Sequence, residues 1–454
     1  MRTAAARRGL GLAATSARQK IGLSLFMRRS STTSAAAAAA AAEVWKKQGM
    51  KSGSGSESES EMELELELNK EKSLYLCFCE RSQCGGVDYE NQVVRPIRLN
   101  RDDDGEEEYL RVAAYKRSSV NMGWNLSSRF GSHLLFPFGP DIGDIRHIRW
   151  IDTSTRPMKF QDSSQSKTKF MSFSTPKTDP LLGAVNGKLY CIDNKPFRGI
   201  PQVRPFEVFD PENGLQWQPL DAPPFLLGWR PNLFDASFLE GSNKILGWAR
   251  KKPGVFCFDA TKPENGWSES SGNTLPCLGY HRPPVFIQNH HPDIGAFHVM
   301  FFYDPIDAPL LVTAFFMSDS CDDFHRIEHK PLQLPELCNE YKYTVPSFIS
   351  DIEFFHLDDP ISTDFEFVHL GDRKVCLVMN KFFSDDACGG RNTGILLLVT
   401  FEYDIITTVK DSKSTVQIQT RLLGTRRFRY HSRQLRKPDY TQTLTVDLTG
   451  AFLL

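Results

Sequence analysis

One stretch of the sequence has the spacing of a metal-binding motif. His325-Arg-Ile-Glu-His329 matches the H-x-x-E-H pattern of inverted zinc peptidases. That pattern binds zinc only from a helix, where both histidines share one face. Lys330-Pro331 follows the motif at once, so the segment has room for little helix. In a strand, Glu328 opposes the histidines. We therefore interpret 325–329 as a surface strand or loop and not as a zinc site.

Cysteine and histidine groups elsewhere are the other candidates for metal ligation. Cys77, Cys79 and Cys84 have no second matching pair nearby, and strand alternation places Cys77 and Cys79 on one face. That arrangement favours buried structural thiols. His290-His291 is interpreted as part of a loop. From these groups we predict no metal, no cofactor and no catalytic residue.

A local basic patch lies near the end of the chain. Residues 421–437 contain seven basic side chains with Phe428 and Tyr430 among them: Arg421, Arg426, Arg427, Arg429, Arg433, Arg436 and Lys437. Guanidinium groups interleaved with rings suit contact with a partner or with single-stranded RNA, and Arg426, Arg427, Arg429 and Arg433 are the candidates. A solvated edge strand, whose charges discourage pairing, is the favoured interpretation. Nucleic-acid binding is the alternative.

The overall composition sets limits on the class of protein. The 454 residues contain 54 basic and 55 acidic side chains, a net charge of -1, which gives no global reason to expect a nucleic-acid or acidic-lipid ligand. No run of 18 apolar residues predicts a membrane-spanning helix, so we expect no membrane insertion. Ten scattered cysteines fit a reducing, intracellular compartment. The length fits about three domains or one large all-β domain.

The first 42 residues have the composition of a targeting segment. They contain no Asp or Glu, and seven basic residues lie among Ala, Ser and Thr: Arg2, Arg7, Arg8, Arg18, Lys20, Arg28 and Arg29. A basic, acid-free leader is typical of an organelle transit peptide. Early, dense arginine favours the mitochondrion, with chloroplast or cytoplasm as alternatives. A disordered Ala-rich extension or a mis-assigned start codon also explains residues 1–42.

Acidic low-complexity sequence follows. In residues 51–72 six glutamates occupy every second position: Glu57, Glu59, Glu61, Glu63, Glu65 and Glu67. Alternating Glu and Leu can form one amphipathic strand, but the charge density favours a disordered linker over residues 43–72. A second acidic run, 102–108, is interpreted as a loop tip between strands. Neither run has the spaced ligands of a calcium loop.

From Ser73 onward a repeat of about fifty residues organises the chain. Short aromatic or β-branched runs are separated by Gly, Pro, Asn and Asp, which predicts strands with few helices. The first copy reads AVNGKLY at 184–190 and FEVFDPENG at 206–214, followed by Trp217. In the second copy VFCFD at 255–259 and PENG at 263–266 precede Trp267. A degenerate third copy contains Leu-Gly-Asp-Arg-Lys at 370–374.

Each part of this repeat has a structural explanation. A turn containing Gly187 or Gly371 permits positive φ and closes a hairpin. Asp210 and Asp259, 49 residues apart, end a third strand, and Trp217 and Trp267 offer large apolar faces to the adjacent sheet. One four-stranded sheet cannot bury both faces alone, and radial stacking solves that problem. A period near 50 is the kelch spacing.

These windows resemble kelch repeats. Their layout is similar to that of plant kelch-like proteins of the galactose-oxidase-type propeller class, including cereal families of unknown function. The resemblance implies an all-β, kelch-type β-propeller over residues 73–454 with about six four-stranded blades, and a monomer. A pair of β-sandwiches is the alternative fold. The copper ligands of galactose oxidase match no motif here, so the resemblance does not extend to that activity.

Two functions remain in competition. The first is a non-enzymatic scaffold that binds a protein partner of unknown identity through propeller-face loops. The loops at 195–204, 226–233 and 279–292 are rich in Arg, Pro and aromatic residues, which are typical of protein interfaces. The alternative is a propeller-type enzyme acting on a small molecule in the central pocket. Convergence of His, Asp, Glu or Arg at one mouth of the axis favours the enzyme, whereas an apolar mouth favours the scaffold.

Overall fold

The computed structural model describes residues 73–84, 87–99, 108–118, 127–139, 144–162, 172–193, 204–214, 216–226, 234–249, 255–269, 284–292, 295–303, 311–318, 324–326, 332–333, 363–383, 393–410, 413–432 and 444–454. In this part of the chain the secondary structure is β-strand with three 3-10 helices, at Pro224–Leu226, Glu240–Ser242 and Pro263–Asn265, and no α-helix. The expectation of an all-β chain is confirmed.

In chain order the strands are β1 (Ser73–Cys84), β2 (Val87–Arg98), β3 (Glu108–Tyr109), β4 (Ala114–Ser118), β5 (Ser128–Phe130), β6 (His133–Phe138), β7 (Ile145–Asp152), β8 (Gln161–Asp162), β9 (Ser172–Lys177), β10 (Pro180–Val185), β11 (Lys188–Asp193), β12 (Phe206–Phe209), β13 (Trp217–Pro219), β14 (Phe234–Leu239), β15 (Lys244–Ala249), β16 (Val255–Asp259), β17 (Trp267–Glu269), β18 (Val285–His291), β19 (Gly295–Tyr303), β20 (Leu311–Ser318), β21 (Phe324–Arg326), β22 (Leu332–Gln333), β23 (Thr363–Gly371), β24 (Lys374–Phe383), β25 (Thr393–Lys410), β26 (Lys413–His431) and β27 (Leu444–Leu453).

The strands form six sheets, which are the blades of a six-bladed β-propeller. From the innermost strand outward, blade one is β27-β1-β2-β4, blade two β5-β6-β7-β8, blade three β10-β11-β12-β13, blade four β14-β15-β16-β17, blade five β18-β19-β20-β21 and blade six β23-β24-β25-β26-β3. In addition β9 pairs with β7 and β22 with β20. Three blades therefore carry a fifth strand beyond the four expected. Pairing is antiparallel except that β3 joins β26 in parallel.

Six apolar clusters correspond to the six interfaces between neighbouring blades. Tyr190 and Phe206 of blade three meet Phe258 of blade four in one cluster, and each of the other five interfaces is filled in the same way. Strand β1 shows how alternating side chains of one strand fill two interfaces. Leu74, Leu76 and Phe78 face blade six, while Tyr75 and Cys77 face blade two. Because both faces of the strand are buried, each blade depends on its two neighbours, and a pair of β-sandwiches is excluded.

The ring is closed by the C-terminal strand. β27 pairs with β1 from Leu74↔Leu453 to Ser82↔Leu444, so the innermost strand of blade one comes from the end of the chain and the other three from its beginning. Thr449 Oγ1 donates to the Cys77 carbonyl at 3.1 Å across this junction. Residues far apart in sequence thereby complete blade one, and this pairing of the two ends of the chain closes the ring.

Two features of the strands differ from expectation. His290 and His291 belong to β18 and pair with Ala296 and Gly295, so the loop interpretation of these histidines was wrong. A short connection lets the hairpin run on to Gly295, where φ is 76°. His325 and Arg326 of the HxxEH stretch belong to β21, which pairs with β20, while Glu328 and His329 lie outside the described residues. No helix in the described residues is long and apolar enough to cross a membrane.

Candidate functional site

The repeat glycines lie in turns at one end of the propeller axis. Gly187 has φ 70° and, with Asn186 at φ 51°, joins β10 to β11. Gly371 has φ 92° and begins the turn from β23 to β24. Both positions are left-handed, where glycine is strained least. We call the end of the axis where first strands turn into second strands the turn face.

Asp210 and Asp259 occupy equivalent corners of blades three and four. Asp210 follows β12, and its carboxylate accepts hydrogen bonds from the Glu212 N–H at 3.0 Å and from Asn213 Nδ2 at 2.7 Å. Asp259 ends β16 and accepts from the N–H of Thr261 at 2.9 Å. Burial raises the pKa of each carboxyl, but the hydrogen bonds outweigh it and hold each pKa below its ordinary value.

Trp217 and Trp267 each pack against the preceding blade. The Trp217 ring lies 5.2 Å from the ring of Phe173 on β9, which pairs with blade two. The Trp267 ring of blade four lies 5.3 Å from Phe206 of blade three. These contacts tie neighbouring sheets together. The aspartates and tryptophans therefore maintain the fold and lie away from the axis.

The cysteines considered as ligands are buried in the interface regions of blade one. Cys77 and Cys79 are free thiols, and burial raises the pKa of both well above the ordinary value. Protonated thiols are poor metal ligands. The side chain of Cys84 lies outside the described residues. Among the residues that the structure describes, no three His, Cys, Asp or Glu side chains are placed to share a metal ion.

A cavity of about 450 Å³ runs along the axis and is the first candidate binding site. The innermost strand of every blade contributes to its wall, which is partly apolar through Leu181, Phe238, Phe286 and Phe452. Ser237 also lines it, and its Oγ is buried with no hydrogen-bond partner in the described structure. This axial channel has the size and mixed polarity of a small-molecule site.

Four ionisable side chains line the channel, two from blade two and two from blade six. Arg129 of β5 donates to the Leu453 carbonyl at 2.7 Å, and His133 begins β6 beside it. Glu366 and His369 come from β23. Burial lowers the pKa of His133 and of His369, so both imidazoles favour the neutral form. The channel mouth is therefore charged and polar as well as apolar.

Sequence reasoning missed these four residues. Arg129 and His369 are separated by 240 positions, and no motif links them. Each lies two residues from the turn that ends a first strand, at Gly131 and Gly371. A position two residues before a turn glycine is the one sequence feature that Arg129 and His369 share. It identifies them as channel residues only once the blades are known.

The second candidate site is the outer part of blade six. β24 pairs with β25 only as far as Lys374↔Glu402, but β25 and β26 continue as a two-stranded hairpin to Lys410↔Lys413. We call residues 404–410 with 413–419 the ribbon. The ribbon begins at the turn face. Just before it, Tyr403 Oη donates to Asn289 Oδ1 of blade five at 3.1 Å. Ile418 is buried in the cluster between blades five and six.

Large apolar side chains are exposed on blade six, in the ribbon and along the outside of the blade. The described chain has four large exposed apolar side chains, all on blade six: Tyr109 (54% exposed), Ile406 (40%), Leu422 (37%) and Leu423 (41%). Their concentration on one blade is unusual, because single exposed apolar residues are ordinarily scattered.

The predicted basic patch lies on β26 beside these residues. We call the outer edge of β26 from Arg421 to Arg429 the basic edge. Arg426 Nη1 donates to the Arg98 carbonyl at 2.6 Å, and its guanidinium lies 5.0 Å from the Phe428 ring. Arg427 and Arg429 are half-buried. Arg433 lies outside the described residues.

The aromatic residues of the patch do not suit RNA. Phe428 and Tyr430 are buried in the cluster between blades six and one, so their rings offer no surface for base stacking. β26 is the fourth strand of blade six and the fifth strand, β3, pairs with it at Phe428 and Arg429, so the edge-strand interpretation does not hold at these two residues.

The loops expected to bind partners are only partly visible. Residues 195–203, 227–233 and 279–283 lie outside the described residues. Within 279–292, Val285–His291 is strand β18, so that part of the loop expectation was wrong. Among the described residues, the surface that stands out is the ribbon at the turn face together with the basic edge along the outside of blade six.

Comparison with known families gives one match. The profile of a family described as a protein of unknown function, DUF1668, matches residues 141–291. This span runs from just before β7 of blade two to the end of β18 of blade five and includes the two clear repeat copies. A comparison with curated proteins found no match.

Solved structures give similarities at low identity. A GH74 enzyme of Niastella koreensis is 12% identical over 53% of this chain and 29% of its own, with a TM-score of 0.29. An auxiliary nutrient binding protein from Bacteroides thetaiotaomicron is 8% identical over 56% of this chain and 64% of its own, with a TM-score of 0.32. An endo-1,4-beta-xylanase of the same organism is 8% identical over 66% and 93%, with a TM-score of 0.31. This chain spans less than two thirds of the first two structures, and the TM-scores carry no functional argument.

Proposed function

We propose that the protein is a non-enzymatic interaction scaffold, a kelch-type propeller that binds an extended acidic segment of a protein partner along the basic edge. The observation that carries this proposal is the combination, on one outer strand, of arginines with exposed leucines. Strand β26 contains five basic residues and no Asp or Glu: Lys413, Arg421, Arg426, Arg427 and Arg429. Leu422 and Leu423 are exposed between them.

The pairing pattern of β26 supports strand addition as the mode of binding. On its inner side β26 pairs with β25 along its whole length. On its outer side, among the described strands, only β3 pairs with it, and only at Phe428 and Arg429. A strand near the outside of a sheet can accept an extended peptide through main-chain hydrogen bonds, with side-chain contacts giving specificity.

Proximity labelling with the full-length protein tests this proposal. The variant Arg421→Glu/Arg427→Glu reverses two charges of the basic edge, and Glu212→Lys/Glu264→Lys is the control because those two side chains are exposed on blades three and four. We expect a set of labelled partners to fall about tenfold in the edge variant and to persist in the control. Equal labelling by all three proteins would reject the basic edge as the binding surface.

A second candidate function is that of a propeller-type enzyme acting on a small molecule in the axial channel. It is favoured by the convergence of Arg129, His133, Glu366 and His369 on one cavity. A screen of small polar metabolites by thermal shift tests it, with Arg129→Met and His369→Ala as channel variants. A ligand that stabilises the wild type and neither variant supports the channel, and a screen without such a ligand rejects it.

A further inference from the structure

A buried serine hydroxyl beside the axial channel has no hydrogen-bond partner in the described structure. Ser237 lies on β14, the innermost strand of blade four, and lines the channel. The residue is 6% exposed, and its Oγ is the buried atom without a partner. Because buried hydroxyls in proteins are mostly hydrogen-bonded, this one is placed to bond a ligand group that carries a donor or an acceptor.

Among the described residues, no carboxylate forms an ion pair with Arg129. Arg129 lies on β5, the innermost strand of blade two. Its Nε donates to the Gly131 carbonyl at 3.2 Å and its Nη1 to the Leu453 carbonyl at 2.7 Å. Both acceptors are neutral. They hold the guanidinium at the channel, and its remaining N–H groups can bind the oxygens of an anion.

Arg129, Ser237 and His369 line the same end of the channel and come from alternate blades. Each lies within two residues of the turn-face end of its innermost strand, in blades two, four and six. Burial lowers the pKa of His369, so its neutral imidazole offers one donor and one acceptor. Glu366 lies three residues earlier on β23, which is about 10 Å further along the strand from the turn face. An anion held by Arg129 is therefore separated from the Glu366 carboxylate.

Phenyl rings supply the apolar part of the channel wall. Phe238, Phe286 and Phe452 line the channel and are half-buried. The Phe238 ring packs on the backbone of Gly183, where a Cβ would collide with it, and the Phe452 ring packs in the same way on Gly450. A cavity of about 450 Å³ with aromatic walls and a few polar groups suits a small aromatic ligand.

We propose that the turn-face end of the channel binds a small aromatic carboxylate that carries a hydroxyl group. Arg129 binds the carboxylate, the three phenyl rings pack against the aromatic ring, and Ser237 bonds to the hydroxyl. The inference rests on the channel of the second candidate function and names its ligand class. It requires neither conversion of the ligand nor a protein partner on the basic edge.

Isothermal titration calorimetry on the full-length protein tests the inference with para-hydroxybenzoate and two matched probes. In para-hydroxybenzamide a neutral amide replaces the carboxylate, and benzoate lacks the hydroxyl. We expect the wild type to bind para-hydroxybenzoate about tenfold more tightly than either matched probe. Arg129→Met should abolish the preference for the acid over the amide, and Ser237→Ala the preference for para-hydroxybenzoate over benzoate. Arg111→Met removes an exposed arginine outside the channel and should behave as the wild type does.

The inference is overturned by a wild type that binds none of the three probes at millimolar concentration, or that binds the acid and the amide equally. Wild-type preferences in both channel variants place the binding elsewhere and also overturn it. If Arg129→Met loses all three probes, Arg129→Lys decides, because it keeps the charge: a retained preference for the acid supports the inference, and a lost preference overturns it.

The inference and the proposed functions can fail separately. Binding of para-hydroxybenzoate without any conversion supports the inference and rejects the enzyme. Partner labelling by Arg129→Met at the wild-type level shows that the channel and the basic edge act independently, whatever the calorimetry finds.

Discussion

Lys188 Nζ lies 2.7 Å from Asp210 Oδ2, across the second and third strands of blade three. Lys188 follows the turn glycine Gly187, and Asp210 begins the turn after β12. In blade four the corresponding residues Lys244 and Asp259 face each other in the register of β15 and β16. In blade six Lys374 faces Glu402. A lysine that starts the second strand thus faces an acid on or just after the third strand, and this pair marks the repeat in three blades.

Replacing Asp210 is expected to change the acid sensitivity of the fold. Because hydrogen bonds from Lys188, the Glu212 N–H and Asn213 hold its pKa below the ordinary value, its stabilising contribution is present above the unfolded pKa, about 3.9, and is lost as pH falls through the lower folded pKa. Asp210→Asn should cost about 1–2 kcal/mol at neutral pH and flatten the decline of the melting temperature below pH 4.

The control for this prediction is Asp221→Asn, since Asp221 is exposed. That variant should melt as the wild type does at every pH. If Asp210→Asn and Asp221→Asn have the same acid profile, the Lys188–Asp210 contact does not contribute to acid stability.

Trp217 and Trp267 should differ in their contribution to stability. Trp217 is buried and Trp267 only half-buried, so Trp217→Ala should destabilise by roughly 3–5 kcal/mol and Trp267→Ala by less. Chemical unfolding with the intrinsic circular-dichroism signal measures both. Trp217→Phe is the conservative control and should recover part of the loss. Wild-type melting in both alanine variants would reject their role in packing blade on blade.

A buried charge network joins blade one to blade six. Arg95 donates to the carbonyls of Leu110 at 2.7 Å and His431 at 2.8 Å, and lies 3.7 Å from Glu80. Arg95→Met leaves the Glu80 carboxylate buried without this partner and should cost about 3–5 kcal/mol. Adding Glu80→Gln removes the charge, so the double variant should regain stability in thermal denaturation. A double variant less stable than Arg95→Met contradicts this account.

The N-terminal segment gives a prediction about targeting. A C-terminal fluorescent fusion of the full chain should localise to mitochondria because residues 1–42 are basic and acid-free. The same fusion without those residues should remain in the cytosol, as seen by microscopy with an organelle marker. Cytosolic fluorescence from both fusions excludes a transit peptide.

Local features of the fold were predictable because each depends on residues close in sequence. The Asn-Gly turn at 186–187, the strand that ends before Asp210 and the following Trp217 all lie within one repeat. The fifty-residue period then indicated blades, since a thin sheet needs neighbours on both sides. His290 and His291 were predicted to lie in a loop but end strand β18, because a loop and a strand end next to Pro292 have similar local composition.

The set of residues around the axis could not be predicted from local sequence patterns. Arg129, Glu366 and His369 share a channel because their strands occupy the same inner position in different blades, which no local pattern encodes. The exposure of Leu422 and Leu423 likewise depends on the position of β26 toward the outside of blade six, where the β25–β26 register shifts between Thr400 and Phe401.

The sequence by itself determined the strands, the turns, the repeat and hence a ring of sheets, because alternation and turn chemistry act over a few residues. Only the tertiary structure decided the closure by β27, the residues of the channel and the position of β26 toward the outside of blade six. Those features arise from contacts between residues hundreds of positions apart, such as Thr449 and Cys77, and they form only when all six blades pack together.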